Sequence, residues 1–198
     1  MIDIVYNIRR GYRFILSLMY NLILFKGKSK RLYVGLNVFF IGKVKLGKNI
    51  RIYDNSKVKG NVTIGDGTVL CENTEVRTTF SEIVIGRNCS VNRNSMILGK
   101  VVIGNNTLIA PNVVIVGSNH IFNNPNELIK NQGVVSKGIN ISDDVWIGAN
   151  VTITDGVSIG KGCVVGAGSV VTNDIPDYSI AVGVPAKIVK KRGNEFKE

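Results

Sequence analysis

Every sixth residue is aliphatic. From Leu46 the series runs Ile52, Val58, Ile64, Leu70 and Val76. It resumes at Ile85 with Val91, Ile97, Ile103, Ile109 and Ile115, and again at Ile141 with Ile147, Ile153, Ile159, Val165 and Val171. All 18 positions are Leu, Ile or Val. A helix buries a residue about every 3.6 positions, so a period of six with β-branched residues throughout demands short strands joined by turns.

A second register fixes the turns. Three residues after the aliphatic one stand Asn49, Asn55, Asn61, Gly67 and Asn73, then Asn88, Asn94, Lys100, Asn106 and Asn112, then Asp144, Asn150, Gly156, Gly162 and Gly168. All but Lys100 are Asn, Gly or Asp, the residues that tolerate positive φ. Two residues before each aliphatic position sits another small or β-branched residue, such as Cys89, Ser95, Val101, Thr107, Val151 and Cys163. Strands of this kind wind into coils, and each coil covers the apolar interior of the next. The composition agrees: 44% hydrophobic but only 7% aromatic, with 22 glycines.

The repeat breaks twice. Val76 to Ile85 holds three extra residues, and a small bulge is expected near Thr78, Thr79 and Phe80. Between Ile115 and Ile141 the chain makes an excursion, residues 116–140, that is polar, irregular and contains the single histidine, His120. Asn123, Asn124, Pro125 and Asn126 mark it as a loop, and long loops inside compact domains are usually functional or disordered. Three cysteines (Cys71, Cys89, Cys163) lack metal-ligand spacing, and with one histidine no metal site is expected. They read as small, reduced, buried residues.

Residues 2–25 read as one amphipathic helix with a narrow polar stripe of Asp3, Asn7, Arg9, Arg10, Arg13, Ser17 and Asn21. Its apolar run is too short to cross a bilayer, which needs about 20 residues. No small-x-small cleavage site follows Phe25, only the basic run Lys26 to Arg31. Two readings stay open: packing on the scaffold or a neighbouring subunit, or lying in the membrane interface with the basic residues toward anionic lipid. The formal charge of +11 admits nucleic acid, an anionic membrane or a phosphorylated small molecule; nothing else in the sequence supports nucleic acid.

The [Leu/Ile/Val]-Gly-x-x-x-x pattern resembles the hexapeptide-repeat acyltransferases over roughly residues 40–192. The likeness is strongest in the stretches beginning Val145-Trp146-Ile147-Gly148 and Val165-Gly166-Ala167-Gly168, and in Val182-Gly183-Val184-Pro185-Ala186-Lys187. It points to the maltose, galactoside and nodulation sugar O-acetyltransferase branch. The resemblance implies an all-β fold, a left-handed parallel β-helix of about six coils spanning 32–183. The helix and basic linker (1–31) would precede it, and a short basic tail or helix (184–198) would follow.

The same resemblance implies a site. The stretch Ile103-Gly104-Asn105-Asn106-Thr107-Leu108-Ile109-Ala110-Pro111-Asn112 places His120 at the branch's catalytic histidine. Asn92 matches a substrate-site asparagine, although two residues are missing downstream of it. Trp146 is a candidate wall of the acceptor site. Ala149, Ala167, Thr172, Lys187 and Lys190 fall on positions that bind coenzyme A. The expected donor is acetyl-CoA and the acceptor a sugar hydroxyl, on a glycan that is lipid-linked or free, with His120 as general base. A homotrimer in the cytoplasm, with peripheral contact to the inner membrane face through residues 2–25, completes the expectation. No carboxylate partner of His120 is assigned; Glu127 is one guess. Asp155 stands where the family often has proline. The alternatives are N-acetylation of a nucleotide-linked amino sugar or a xenobiotic, and a non-catalytic scaffold.

Overall fold

Each six-residue unit supplies one short strand and one corner, so three units bring the chain back to the side it left. The computed structural model describes residues 11–12, 15–20, 22 and 31–193. Within them the strands form three parallel ladders, the sides of a β-helical prism. The first side stacks Tyr33–Val34, Arg51–Ile52, Val69–Leu70, Ser90–Val91, Leu108–Ile109, Trp146–Ile147, Val164–Val165 and Ser179–Val182. The second begins with Phe39–Ile41 on Lys57–Ile64 and ends with Thr152–Ile153 on Val170–Val171. The third begins with Val44–Leu46 and ends with Ser158–Ile159, which bridges Ile175.

The ladders run in register, so like sits on like. Ile52 pairs with Leu70, Leu70 with Val91, Ile109 with Ile147, and Ile147 with Val165. Of the 18 repeat positions all but Leu46 are no more than 1% exposed. The second set is buried with them: Cys89, Ser95, Val101, Thr107, Val113, Val151 and Cys163. Their hydroxyls are not left without partners. Ser95 Oγ donates to Ala110 O and accepts from Val113 N, and Thr68 Oγ1 donates to Gly86 O and accepts from Cys89 N.

The prism is longer than the aliphatic series suggests. Val34 and Phe40 continue the six-residue steps upstream of Leu46, and the first ladder carries eight parallel strands rather than about six. Phe40 hides that coil from a search for Leu, Ile and Val. The C-terminal segment is also corrected. Lys187–Lys191 is neither tail nor helix but a strand, antiparallel to Ser179–Val182. It covers an edge of backbone donors and acceptors that would otherwise be open to another chain.

The other end is closed by the N-terminal helix. Ser17 Oγ accepts from Val34 N at 2.8 Å and donates to Val34 O at 3.4 Å. Tyr20 OH donates to Val38 O at 2.9 Å, and its ring meets Phe40 edge-on at 5.4 Å. Part of the expected polar stripe thus faces the prism, because the first strand presents backbone groups that require partners. Most of residues 2–25 lie outside the described residues.

The turn register holds with two exceptions. Thirteen of its fifteen residues have positive φ; only Asn61 and Lys100 do not. There the preceding glycine takes the left-handed conformation instead, Gly60 at +105° and Gly99 at +83°. Both lie on the edge between the second and third sides. On the edge between the third and first sides, carboxylates and amides cap the amides of the coil below. Asp66 Oδ1 accepts from Lys48 N, Asp143 Oδ1 from Asn105 N, and Asp177 Oδ1 from Lys161 N. The Asn105 backbone and side-chain donors hold the Asp143 carboxyl below the usual aspartate range.

Two substitutions test this construction. Ile109→Ala opens a cavity under two neighbouring layers and lowers stability by about 2–5 kcal/mol in urea denaturation. At Gly60 a Cβ would fall 2.2 Å from Thr78 O at a φ of +105°. Gly60→Ala therefore costs at least about 1–3 kcal/mol from the backbone alone, and an unchanged unfolding midpoint would contradict the assigned corner.

Candidate active site

An insertion at a corner leaves the strands on either side in register, so corners are where this fold can add residues. The two breaks of the repeat open from the same edge, between the second and third sides. Glu75–Ile85 is one strand that rounds this edge; its pairing with Lys57–Ile64 slips between Lys59 and Asn61, so that Arg77 faces Lys59 and Glu82 faces Asn61. The surplus, Thr78 to Ser81, bulges out. Ser81 N donates to Thr78 Oγ1 and the two hydroxyls share a hydrogen bond, while Phe80 at the tip is fully exposed.

The long excursion leaves the edge two coils further on, after Gly117. It is ordered by its own contacts. Asn119–His120 pairs antiparallel with Val134–Val135. A single helical turn, Ile129–Gln132, follows the tip, and Gln132 Nε2 donates to both Asn124 O and Glu127 O. Its neck is tied twice. Ser136 Oγ donates to Gly117 O across the base. Asp155, on the next coil, accepts from Lys137 N at 2.9 Å and Gly138 N at 2.7 Å. The carboxylate that departs from the family's proline therefore clamps the root of the loop that carries His120.

Between bulge and excursion lies an open cleft of about 1170 Å³. Its floor is the tight Gly99-Lys100 corner together with Asn61, and outward residues of the second side (Arg77, Leu98, Val116) form one flank. Thr78 to Glu82 make one wall; His120, Val134 and Ser136 make the other. A single prism thus has a concavity of its own, whereas flat sides alone would need a neighbouring chain to create one. Asn61 and Lys100, the two residues released from turn duty, both line it.

The remaining candidates lie elsewhere. Asn92, Ala149 and Ala167 share the edge between the first and second sides. Asn92 Oδ1 accepts from Arg93 N, and Gly168 N donates to Ala149 O. Thr172 lies on His120's edge but further along the prism, its Oγ1 accepting from Asn173 Nδ2. Trp146 stands half-exposed on the first side between Leu108 and Val164. Lys187 and Lys190 belong to the closing strand beside that ladder. Within one chain the structure joins none of these to His120. Glu127 sits on the excursion away from the cleft lining, whereas Glu82 is the carboxylate that lines the cleft with His120.

Sequence reasoning missed Asn61, Arg77, Phe80, Glu82, Lys100 and Ser136. The available signal was the Gly-Asn and Gly-Lys pairs at the two irregular turns, and the three-residue break itself. No cysteine lines the cleft, and burial pushes all three thiols above their ordinary range. Among the described residues no group of three or more His, Cys, Asp or Glu gathers to hold a metal.

A prism of short parallel strands, one per six-residue unit, with a histidine loop on one edge is a hexapeptide-repeat solenoid. Residues 82–117 and 138–173 match the family described as bacterial transferase hexapeptide (six repeats). These two stretches carry the hexapeptide repeat to which the sequence resemblance points. Galactoside O-acetyltransferase of Escherichia coli is 45% identical over 82 residues, 41% of this chain and 39% of that protein. A "probable acetyltransferase" of Mycobacterium tuberculosis is 44% identical over 64 residues, 32% of this chain and 21% of that protein. The chain thus matches only about a fifth to two fifths of these relatives' length. Among solved structures, the Bacillus cereus N-acyltransferase AntD, in complex with dTDP and 3-hydroxybutyryl-CoA, has the same fold. Its TM-score is 0.60 at 23% identity, covering 85% of this chain and 86% of that one.

The clamp at the loop neck is directly testable. Asp155→Ala removes the acceptor for two backbone amides, and hydrogen exchange at Lys137 and Gly138 should accelerate roughly tenfold or more. Unchanged protection would show that the carboxylate does not hold the loop.

Proposed function

We propose that this chain is an acetyl-CoA-dependent O-acetyltransferase that acts on a sugar hydroxyl in the assembly of a surface polysaccharide or lipopolysaccharide. The observation that carries the reading is the placement of the lone histidine. His120 lies on the wall of a cleft formed by both interruptions of the repeat, on a loop pinned at its root. The local likeness to a galactoside O-acetyltransferase supports an oxygen acceptor in a sugar.

An alcohol is a poor nucleophile at neutral pH and needs a base beside it. Neutral imidazole of His120 takes the hydroxyl proton as the acceptor oxygen attacks the thioester carbonyl. The tetrahedral intermediate collapses with loss of the coenzyme A thiolate, and His120 returns the proton to that sulfur. The transfer is direct, with the cysteines held away from the cleft. Asn92 is assigned to the acceptor or the oxyanion, and Trp146 to a wall of the acceptor site. Ala149, Ala167, Thr172, Lys187 and Lys190 are assigned to coenzyme A, the alanines through their backbone and the lysines through its phosphates.

Because Asn92 and His120 stand on different edges, a site that uses both is shared between chains, which supports the homotrimer. Exposed apolar residues of the excursion, Phe122, Leu128 and Ile129, are available for that packing. His120→Ala should reduce turnover with acetyl-CoA and a glycan acceptor by roughly 10²–10⁴-fold, with coenzyme A affinity kept. Unchanged turnover excludes the general base, and turnover of amino-sugar acceptors in place of hydroxyl ones would move the reaction to nitrogen.

A further inference from the structure

The net charge of this protein comes from the first 60 residues of its sequence. Residues 1–60 contain thirteen Lys and Arg against two acids, which accounts for the whole net charge of +11. Residues 61–198 contain twelve of each and are neutral overall. The fold gathers the basic residues of the first coils around the N-terminal end of the prism. Lys43 and Lys45 project from the third side, Arg51 from the first, and Lys57 and Lys59 from the second, and all five are exposed.

The same end carries an uncovered apolar stripe. Ser17 and Tyr20 turn the helix's polar contacts inward to Val34 and Val38. Tyr12, Ile15, Leu18, Met19 and Leu22 recur at helical spacing on the opposite face and are 49–60% exposed. On the second side of the same end, Phe39 and Ile41 are also exposed, at 55% and 54%. Arg9, Arg10, Arg13, Lys26, Lys28 and Lys30 flank the stripe in sequence, outside the described residues. No helix among the described residues is long and apolar enough to cross a membrane. Exposed apolar side chains beside the cations of the first coils, which outnumber the one acid lining the Phe39 and Ile41 groove, Glu75, match the interfacial zone of an anionic bilayer.

We infer that the N-terminal end of the prism docks on an anionic phospholipid surface, with the helix lying in the interface and the lysines of the first coils against the headgroups. This places the cleft relative to the lipid. From Ile41 the second side climbs through Lys59, Arg77 and Leu98 to Val116 beside the excursion. Four inter-strand steps make about 19 Å. An acceptor glycan carried on a lipid can enter the cleft with its sugars clear of the headgroups while its anchor stays in the bilayer. The docking itself does not depend on the proposed reaction; only the choice of a lipid-linked acceptor rests on it.

The test is flotation of the full chain with phosphatidylcholine vesicles, with and without phosphatidylglycerol. The wild type should float with the anionic vesicles only and be released by salt. The combined variant Lys43→Gln, Lys45→Gln, Lys59→Gln should partition more weakly by on the order of 100-fold. Leu18→Glu with Leu22→Glu should abolish flotation while leaving turnover on a soluble acceptor unchanged. Equal flotation of all three proteins overturns the proposal. So does a wild type that ignores both vesicles while the Leu18→Glu, Leu22→Glu variant changes oligomeric state in light scattering, which would make the stripe a contact between copies. Binding to DNA that survives loss of the leucines would assign the charge to nucleic acid and overturn it equally. Since flotation reads no catalysis, failure here and failure of His120→Ala are separate results.

Discussion

The structure depends on one contact repeated along its length, an aliphatic side chain resting on its counterpart a coil away. Parallel strands hold the coils about 4.8 Å apart, which is also close to the thickness of a branched aliphatic side chain. The inner column therefore has no room for a larger residue and loses contact with a smaller one. That is why Leu, Ile and Val are used almost without variation, and why buried Ser95, Thr68 and Thr107 are tolerated only with their hydroxyls bonded to backbone carbonyls. The same contact restricts where chemistry can go. The interior is full, and each outward side is nearly flat, so additional residues can enter only at corners.

The three edges are not equivalent. Two of them turn at positive φ through Asn, Asp or Gly, except at the ends of the prism (Arg31 and Tyr178), with side chains bonded from coil to coil, as in Asn73 Nδ2 to Asn94 Oδ1 and Asn94 Nδ2 to Asn112 Oδ1. These ladders commit the corner side chains to structure. On the third edge, glycine makes the turn at Gly42, Gly60 and Gly99, and Lys57–Ile64 and Glu75–Ile85 run around it as continuous strands. The side chains that follow, Asn61 and Lys100, are freed to face the cleft. The edge least committed to its own turns is the one from which both insertions open, and Asp155 restores at the loop's root a bond of the coil-to-coil kind.

Most of the scaffold was legible because its constraint is local in sequence and repeats. The inner column, the turn register and both breaks follow from spacing alone. Phe40 escaped because the inner position of the first coil meets the N-terminal helix, where its ring packs against Tyr20, instead of another coil. The final strand escaped because Lys187 to Lys191 has no repeat, and its conformation is fixed by the open edge it covers. At the site, His120 was legible from the segment before it, but its surroundings were not. Arg77, Phe80 and Glu82 come from one strand and His120 joins them from two coils on; the six repeat units between the breaks place both on one edge, but the spacing does not say how bulge and excursion fold toward each other.

That geometry also divides the work between the two ends of the chain. The cleft is lined by Arg77, Glu82 and Lys100, in the part of the chain where acids and bases balance in number. The excess charge begins one coil from the cleft, where Lys59 pairs with Arg77, and extends from there to the N-terminal end of the prism. Asn92 adds a second separation, since its edge and that of His120 cannot meet within one prism. A site that used both, as proposed above, would need the edge of another copy beside the cleft of the first.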